Sequence, residues 1–108
     1  MGLFAGQPNN FTVPAALPPN MKILSNLFFL ATGFNQAINT WNTQNVTIMD
    51  NMFEGASTFD QPLTSWNVLK LTTAVRMFAD APIANTPANW PNFASNPNLP
   101  TAVTYYTS

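Results

Sequence analysis

The feature that most constrains this chain is a repeat: residues 34–58 are restated, position for position, as residues 59–83. Phe34, Gln36, Trp41, Asn42, Thr47, Met52, Phe53 and Ala56 recur as Phe59, Gln61, Trp66, Asn67, Thr72, Met77, Phe78 and Ala81. Several remaining differences are conservative: Asn35 to Asp60, Ile38 to Leu63, Val46 to Leu71. A period of this length marks one small supersecondary unit that buries its apolar side chains only by stacking on copies of itself.

Within each unit, two patterns alternate. Val46, Met49, Met52, Phe53 and Ala56 fall at i, i+3, i+6, i+7 and i+10, the spacing of one helical face. Leu71, Ala74, Met77, Phe78 and Ala81 repeat it, and Met21, Leu24, Leu27, Phe28 and Ala31 fit it upstream. Gly55, followed by Ser57 and Thr58, reads as a helix exit. The stretches Phe34 to Trp41 and Phe59 to Trp66 space Phe, Ile or Leu, and Trp with small polar residues, which predicts a short strand or extended ledge. Pro62 keeps that strand short or near an edge. The expected architecture is a repeat solenoid with a short helix and a short strand per unit, in units of about 21–33, 34–58 and 59–83. Its core is Phe28, Phe34, Trp41, Met52, Phe53, Phe59, Trp66, Met77 and Phe78.

Proline and charge divide the rest. Nine of ten prolines lie in 8–19 or 82–100, while all seven charged residues lie between Lys22 and Asp80. Residues 1–20 and 84–108 therefore read as uncharged, Pro-rich, irregular arms or caps on either side of the repeats. Charged residues make up 6% of the chain, against about 25% in typical soluble domains. Fifteen Asn and thirteen Thr supply polarity instead. So little charge offers little repulsion to self-contact, and self-association is expected.

The same composition excludes several chemistries. Lys22, Lys70 and Arg76 are too few to follow a nucleic-acid backbone. With no Cys and no His, thiol chemistry, disulfides and the commonest metal ligand and general base are missing, so no cofactor or metal is expected. The longest apolar stretch, Ile23 to Ala31, is broken by Ser25 and Asn26 and falls short of the ~20 residues of a membrane span. The opening Met1 to Pro8 has no basic segment or apolar run of a secretory signal.

Read through Met52 to Asn67, the motif Met-Phe-x-x-Ala-x-x-Phe-(Asn/Asp)-Gln-x-(Leu/Ile)-x-x-Trp-Asn resembles the BspA-like leucine-rich-repeat family, also described as DUF285 surface-protein repeats. The resemblance covers residues 21–83 and is densest over 34–78. Leu27-Phe28 departs from Met-Phe, and Asp60 from the Asn of Phe-Asn-Gln. The resemblance implies a leucine-rich-repeat-like, right-handed solenoid and roles in adhesion and display at bacterial and mycoplasma surfaces, with similar repeats in some viruses of environmental microbes.

Candidate sites are correspondingly few. Asp50 and Glu54, four apart, are expected on the wet side of a helix, and like charges at that spacing are mildly destabilising. Glycoside hydrolysis needs two carboxylates across a cleft, and Asp50, Glu54, Asp60 and Asp80 have no nucleophile or base context; no catalytic residue is assigned. Trp41 and Trp66 could offer a sugar-stacking ledge, though equivalent repeat positions favour a core ladder. Phe4, Phe11, Trp90, Phe93, Tyr105 and Tyr106, in the arms, are the candidate interface residues, since aromatic side chains dominate interface hot spots. The expected function is a non-enzymatic structural subunit of an external assembly: a virion component such as a capsid decoration, fibre or tail protein, with self-association or other structural proteins as partners. The alternative is a surface or secreted adhesin that recognises a glycan or host protein, and the remotest is a glycan hydrolase.

Overall fold

The computed structural model describes residues 4–6, 12–18 and 20–108. Its radius of gyration is 12.4 Å and its extents are 37 × 30 × 22 Å. The expected helix-plus-strand solenoid is not what forms. Among the described residues, helical geometry is confined to three 3-10 turns, Pro82–Asn85, Pro87–Asn89 and Phe93–Ser95, and one short α-helix, α1, at Thr104–Thr107. Strand pairing among the described residues is reduced to two isolated parallel bridges, Ile23 with Ile48 and Ile48 with Thr73. The body is a compact globule built almost wholly of turns.

The physical reason lies in where the backbone amides go. Leu24, Asn26, Phe28 and Leu30 donate to the carbonyls of Ile48, Asp50, Met52 and Glu54; Met49, Asn51, Phe53 and Gly55 donate to Thr73, Val75, Met77 and Ala79. All of these bonds have the same sequence separation, one position short of the repeat period. The intervening amides close local turns three residues back: Leu27 to Leu24, Phe29 to Asn26 and Ala31 to Phe28, and likewise at Met52, Glu54 and Ala56. Alternate amides thus serve alternate purposes. Residues 21–31, 46–56 and 71–81 form three tiers in register, each a run of tight turns. A run of turns closed three residues back buries the same i, i+3, i+7 positions as a helix. That is why the hydrophobic spacing pointed to a helix that is not there.

Left-handed residues enforce the turns. Asn26, Asn51 and Arg76 have φ of 59°, 58° and 55°, and Leu30, Gly55 and Asp80 have 57°, 74° and 59°. Both sets recur at the repeat period. No α-helix survives two left-handed residues four apart, and Asn and Gly accept that conformation at least cost.

The interior is a set of aromatic columns. Phe28 stacks on Phe53 at 5.5 Å, Phe53 on Phe78 at 6.1 Å, Phe34 on Phe59 at 5.3 Å and Trp41 on Trp66 at 6.5 Å. Within a tier, Phe28 meets Phe34 at 4.0 Å and Phe53 meets Phe59 at 4.2 Å. Phe28, Phe34, Trp41, Met52, Phe53, Phe59, Trp66, Met77 and Phe78 are all buried. Offset stacking adds about 0.5–1.5 kcal/mol per pair to the area each ring buries.

The register reaches beyond 21–83. Phe4 stacks on Phe28 at 5.4 Å, and Phe4 and Gly6 donate to Leu27 and Phe29. Gly6, with φ of 74°, takes the left-handed place that Leu30 and Gly55 hold further on. Trp41 Nε1 donates to the carbonyl of Pro14 at 2.9 Å, as Trp66 Nε1 donates to that of Ile38. At the other end Ile83 donates to Phe59, and Leu63 to Asn89. The described parts of both arms are folded onto the body.

Gly55 tests the turn-built tier. A Cβ there would lie 2.5 Å from Leu30 Cδ2, on a backbone that L-residues avoid. Gly55→Ala is expected to cost about 1–2 kcal/mol. Thermal denaturation should show a midpoint lowered by several degrees, and an unchanged midpoint would contradict the assigned conformation.

Candidate functional site

The described surface offers little that is reactive. Asp50 does not lie on a helix: its Oδ1 accepts from Thr73 Oγ1 at 2.7 Å and from the Val75 amide at 2.8 Å, tying one tier to the next. Glu54 accepts from Arg76 Nη2 at 2.6 Å and from Asn51 Nδ2 at 2.6 Å. Asp60 accepts from Thr86 Oγ1 at 3.1 Å and Asn89 Nδ2 at 3.0 Å. Lys70 Nζ donates to Asn45 Oδ1 at 3.2 Å. These groups stitch tiers together instead of converging on a cleft. Among the described residues no group of three or more Asp or Glu could hold a metal ion, and no helix is long and apolar enough to cross a membrane.

Among the described residues, each predicted site residue has a definite place. Trp41 and Trp66 are only 3% exposed, so the sugar-stacking ledge is closed: both rings are spent on each other and on the carbonyls they donate to. Phe4 is half-buried against Phe28. Phe11 lies outside the described residues. Trp90, Phe93, Tyr105 and Tyr106 come together over the last tier. Trp90 packs on Phe78 at 5.3 Å, Phe93 stacks on Tyr106 at 4.2 Å, and Tyr105 meets Tyr106 edge-on at 5.0 Å. Phe93 and Tyr106 are buried within their own chain, so as free interface anchors they are corrected to internal packing.

The last tier is also where the ladder of amides would run out, and residues 103–108 finish it. Arg76 donates to the carbonyl of Tyr105 at 2.9 Å and Phe78 to that of Tyr106 at 2.8 Å. The Tyr105 hydroxyl accepts from the Ala74 amide at 3.2 Å and meets Thr73 Oγ1 at 3.1 Å. Tyr106 donates its hydroxyl to the Pro100 carbonyl at 2.9 Å, and burial pushes its pKa above the ordinary phenol value. An unpaired extended edge invites pairing with another chain; here one short segment satisfies three successive donors of that edge. Beside Tyr106, among residues 87–101, lies a hollow of about 390 Å³, lined chiefly by Pro87, Trp90, Pro91, Phe93, Leu99 and Pro100.

Asn96 completes the closure. It is 3% exposed, and its Nδ2 donates to the carbonyls of Val68 at 2.9 Å and Leu71 at 2.8 Å. Sequence reasoning passed over it. The signal was present: Asn96 stands one full repeat after the buried Leu71 and two after the buried Val46. A polar side chain in an apolar column marks the place where the column stops. No comparable signal announces Tyr105 or Tyr106, which lie past the end of the repeat.

Two measurements bear on these contacts. Asn96→Leu is expected to cost about 2–4 kcal/mol, because two buried carbonyls lose their donor; urea denaturation reads it, and a change under about 0.5 kcal/mol would refute the capping role. The Arg76 guanidinium holds Glu54 below its ordinary carboxylate value of 4.5, with burial opposing and Asn51 assisting. A lowered folded-state pKa means the stabilisation is whole above 4.5 and is lost as pH falls through the lowered value. Wild-type stability should therefore decline on acidification by more than that of Glu54→Gln, compared by denaturation between pH 7 and pH 3.

Compared with known proteins, residues 18–103 match a family described as "Mycoplasma protein of unknown function, DUF285". No curated protein matches the chain, and no solved structure does.

Proposed function

Since the chain belongs to the DUF285 family, whose description assigns no activity, we propose from its surface that it is a non-enzymatic structural subunit of an external assembly, either a virus particle or a surface layer. The observation that carries this reading is the near-absence of free charge. Of seven charged side chains, Asp50, Glu54, Asp60, Lys70 and Arg76 are hydrogen-bonded within the chain. Apart from the exposed Lys22, Lys70 and Asp80, the outside is mostly amide, hydroxyl and aliphatic surface, including Ile23, Leu30, Leu69, Val75 and Val103, each at least 40% exposed. Contact between such surfaces desolvates few charges and meets no long-range repulsion.

A rigid, turn-built body with stitched tiers suits a role in which shape is kept and chemistry is not required. The carboxylates support this because Asp50, Glu54 and Asp60 are each hydrogen-bonded to a neighbouring segment, and Asp80 lies within electrostatic reach of Arg76. Sedimentation equilibrium from micromolar to millimolar protein, at low and high salt, tests the reading. Reversible association that persists in high salt is expected. A monomer at every concentration would overturn it.

A further inference from the structure

Building on the reading of the protein as an assembling subunit, we propose that residues 103–108 are an exchangeable strap, and that two copies associate by each laying its strap across the last tier of the other. The occupant of the surface is then this same segment from a second copy, whose chemistry fits because it is what already lies there.

The strap's bonds to the body are few and confined to one face. They are the carbonyls of Tyr105 and Tyr106 on Arg76 and Phe78, the Tyr105 hydroxyl on Thr73 and Ala74, and the Tyr106 ring against Phe93 and Trp90. All are reproduced unchanged if the strap comes from another copy. Its other bonds are local: the amides of Tyr105, Tyr106 and Ser108 to Ala102, Val103 and Thr104, and the Tyr106 hydroxyl to Pro100. The strap travels as a unit with its own turn, α1.

The connector, residues 97–102, is built to open. Pro97, Asn98, Pro100, Thr101 and Ala102 are exposed, and only Leu99 is buried. Its backbone amides make one bond to the preceding residues, Leu99 to Asn96, and the Asn98 amide reaches the Asn96 side chain. Asn96, which precedes Pro97, is already extended, with φ of −114° and ψ of 102°. Proline also holds its preceding residue near that conformation, so Leu99 before Pro100 resists a tight reversal. Pro97, Pro100 and Thr101 help to line the 390 Å³ hollow, and Leu99 is the connector's one buried anchor. Fully extended, six residues reach about 20 Å, enough to cross to a facing copy. The charged side chains of the last tier are Arg76, paired with Glu54, and Asp80, one of each sign, so no single-sign field opposes the approach of two strapped faces. Reciprocal exchange gives a closed, isologous pair.

Connector length separates this proposal from the broader reading. Deleting Thr101 and Ala102 keeps the strap from spanning to its own tier, while inserting six Gly/Ser residues after Thr101 lets it return easily. Sedimentation equilibrium should show a dimer dissociation constant lowered by about tenfold or more in the deletion, because the intramolecular effective concentration falls, and shifted by no more than about threefold in the insertion, which leaves the return path open. Should the deletion variant fail to fold, a chain ending at Ala102 decides: loss of the dimer supports exchange, and unchanged association refutes it. Association of the intact chain that ignores connector length would end the strap proposal while leaving the structural-subunit reading in place. A monomeric intact chain would end both.

Discussion

Everything in this molecule depends on the sorting of its backbone amides. From Leu24 to Leu30 and from Met49 to Gly55 every second amide reaches the next tier, always across the same length of chain, and most of the others close turns within their own tier. The left-handed corners at Asn26, Leu30, Asn51, Gly55, Arg76 and Asp80 make that sorting possible, because they reverse the chain often enough to present alternate amides outward. Where Asn or Gly occupies a corner the cost is small. Where Leu30 or Arg76 does, the cost is met by the ladder bonds and by side-chain partners such as Glu54. The aromatic columns then fall into place, since residues one repeat apart are brought directly over one another.

The sequence carried the repeat and its core plainly, and it misled about local conformation. Phe28, Phe53 and Phe78, or Trp41 and Trp66, announce stacking by identity and spacing alone. The i, i+3, i+7 pattern did not distinguish a helix from a run of tight turns, because both bury the same positions. The discriminating signal was Asn26, Asn51 and Gly55, residues that tolerate left-handed backbone inside an otherwise helical pattern. Leu30 and Arg76 in equivalent places obscured it. The extended ledge from Phe59 to Trp66 failed as a strand for another reason: its hydrogen bonds to the equivalent segment, Phe34 to Trp41, run through side chains, such as Gln61 and Ser65 on Asn35 and Asn39.

The ends of the repeat were the least legible part. Phe4, Val13 and Leu17 extend the interior upstream, and Ile83, Phe93 and Leu99 extend it downstream, yet each arm departs from the consensus enough to read as irregular. Both arms carry aromatic residues without charge, a composition that fits a partner's surface or the chain's own end equally well. The described portions do the second. Finishing a stacked body requires residues that resemble the repeat on one side and are indifferent to it on the other, and such residues have no period to betray them.

The fixed reach of the ladder bonds has a consequence for descent. A single inserted or deleted residue inside a tier would swap the two classes of amide beyond it and carry the rings that follow off their columns. Adding or removing a whole unit leaves every bond of the survivors as it was. Lineages of such chains are therefore expected to differ in size by whole units, growing or shrinking in steps of one repeat while the segments that close them off are conserved as a pair.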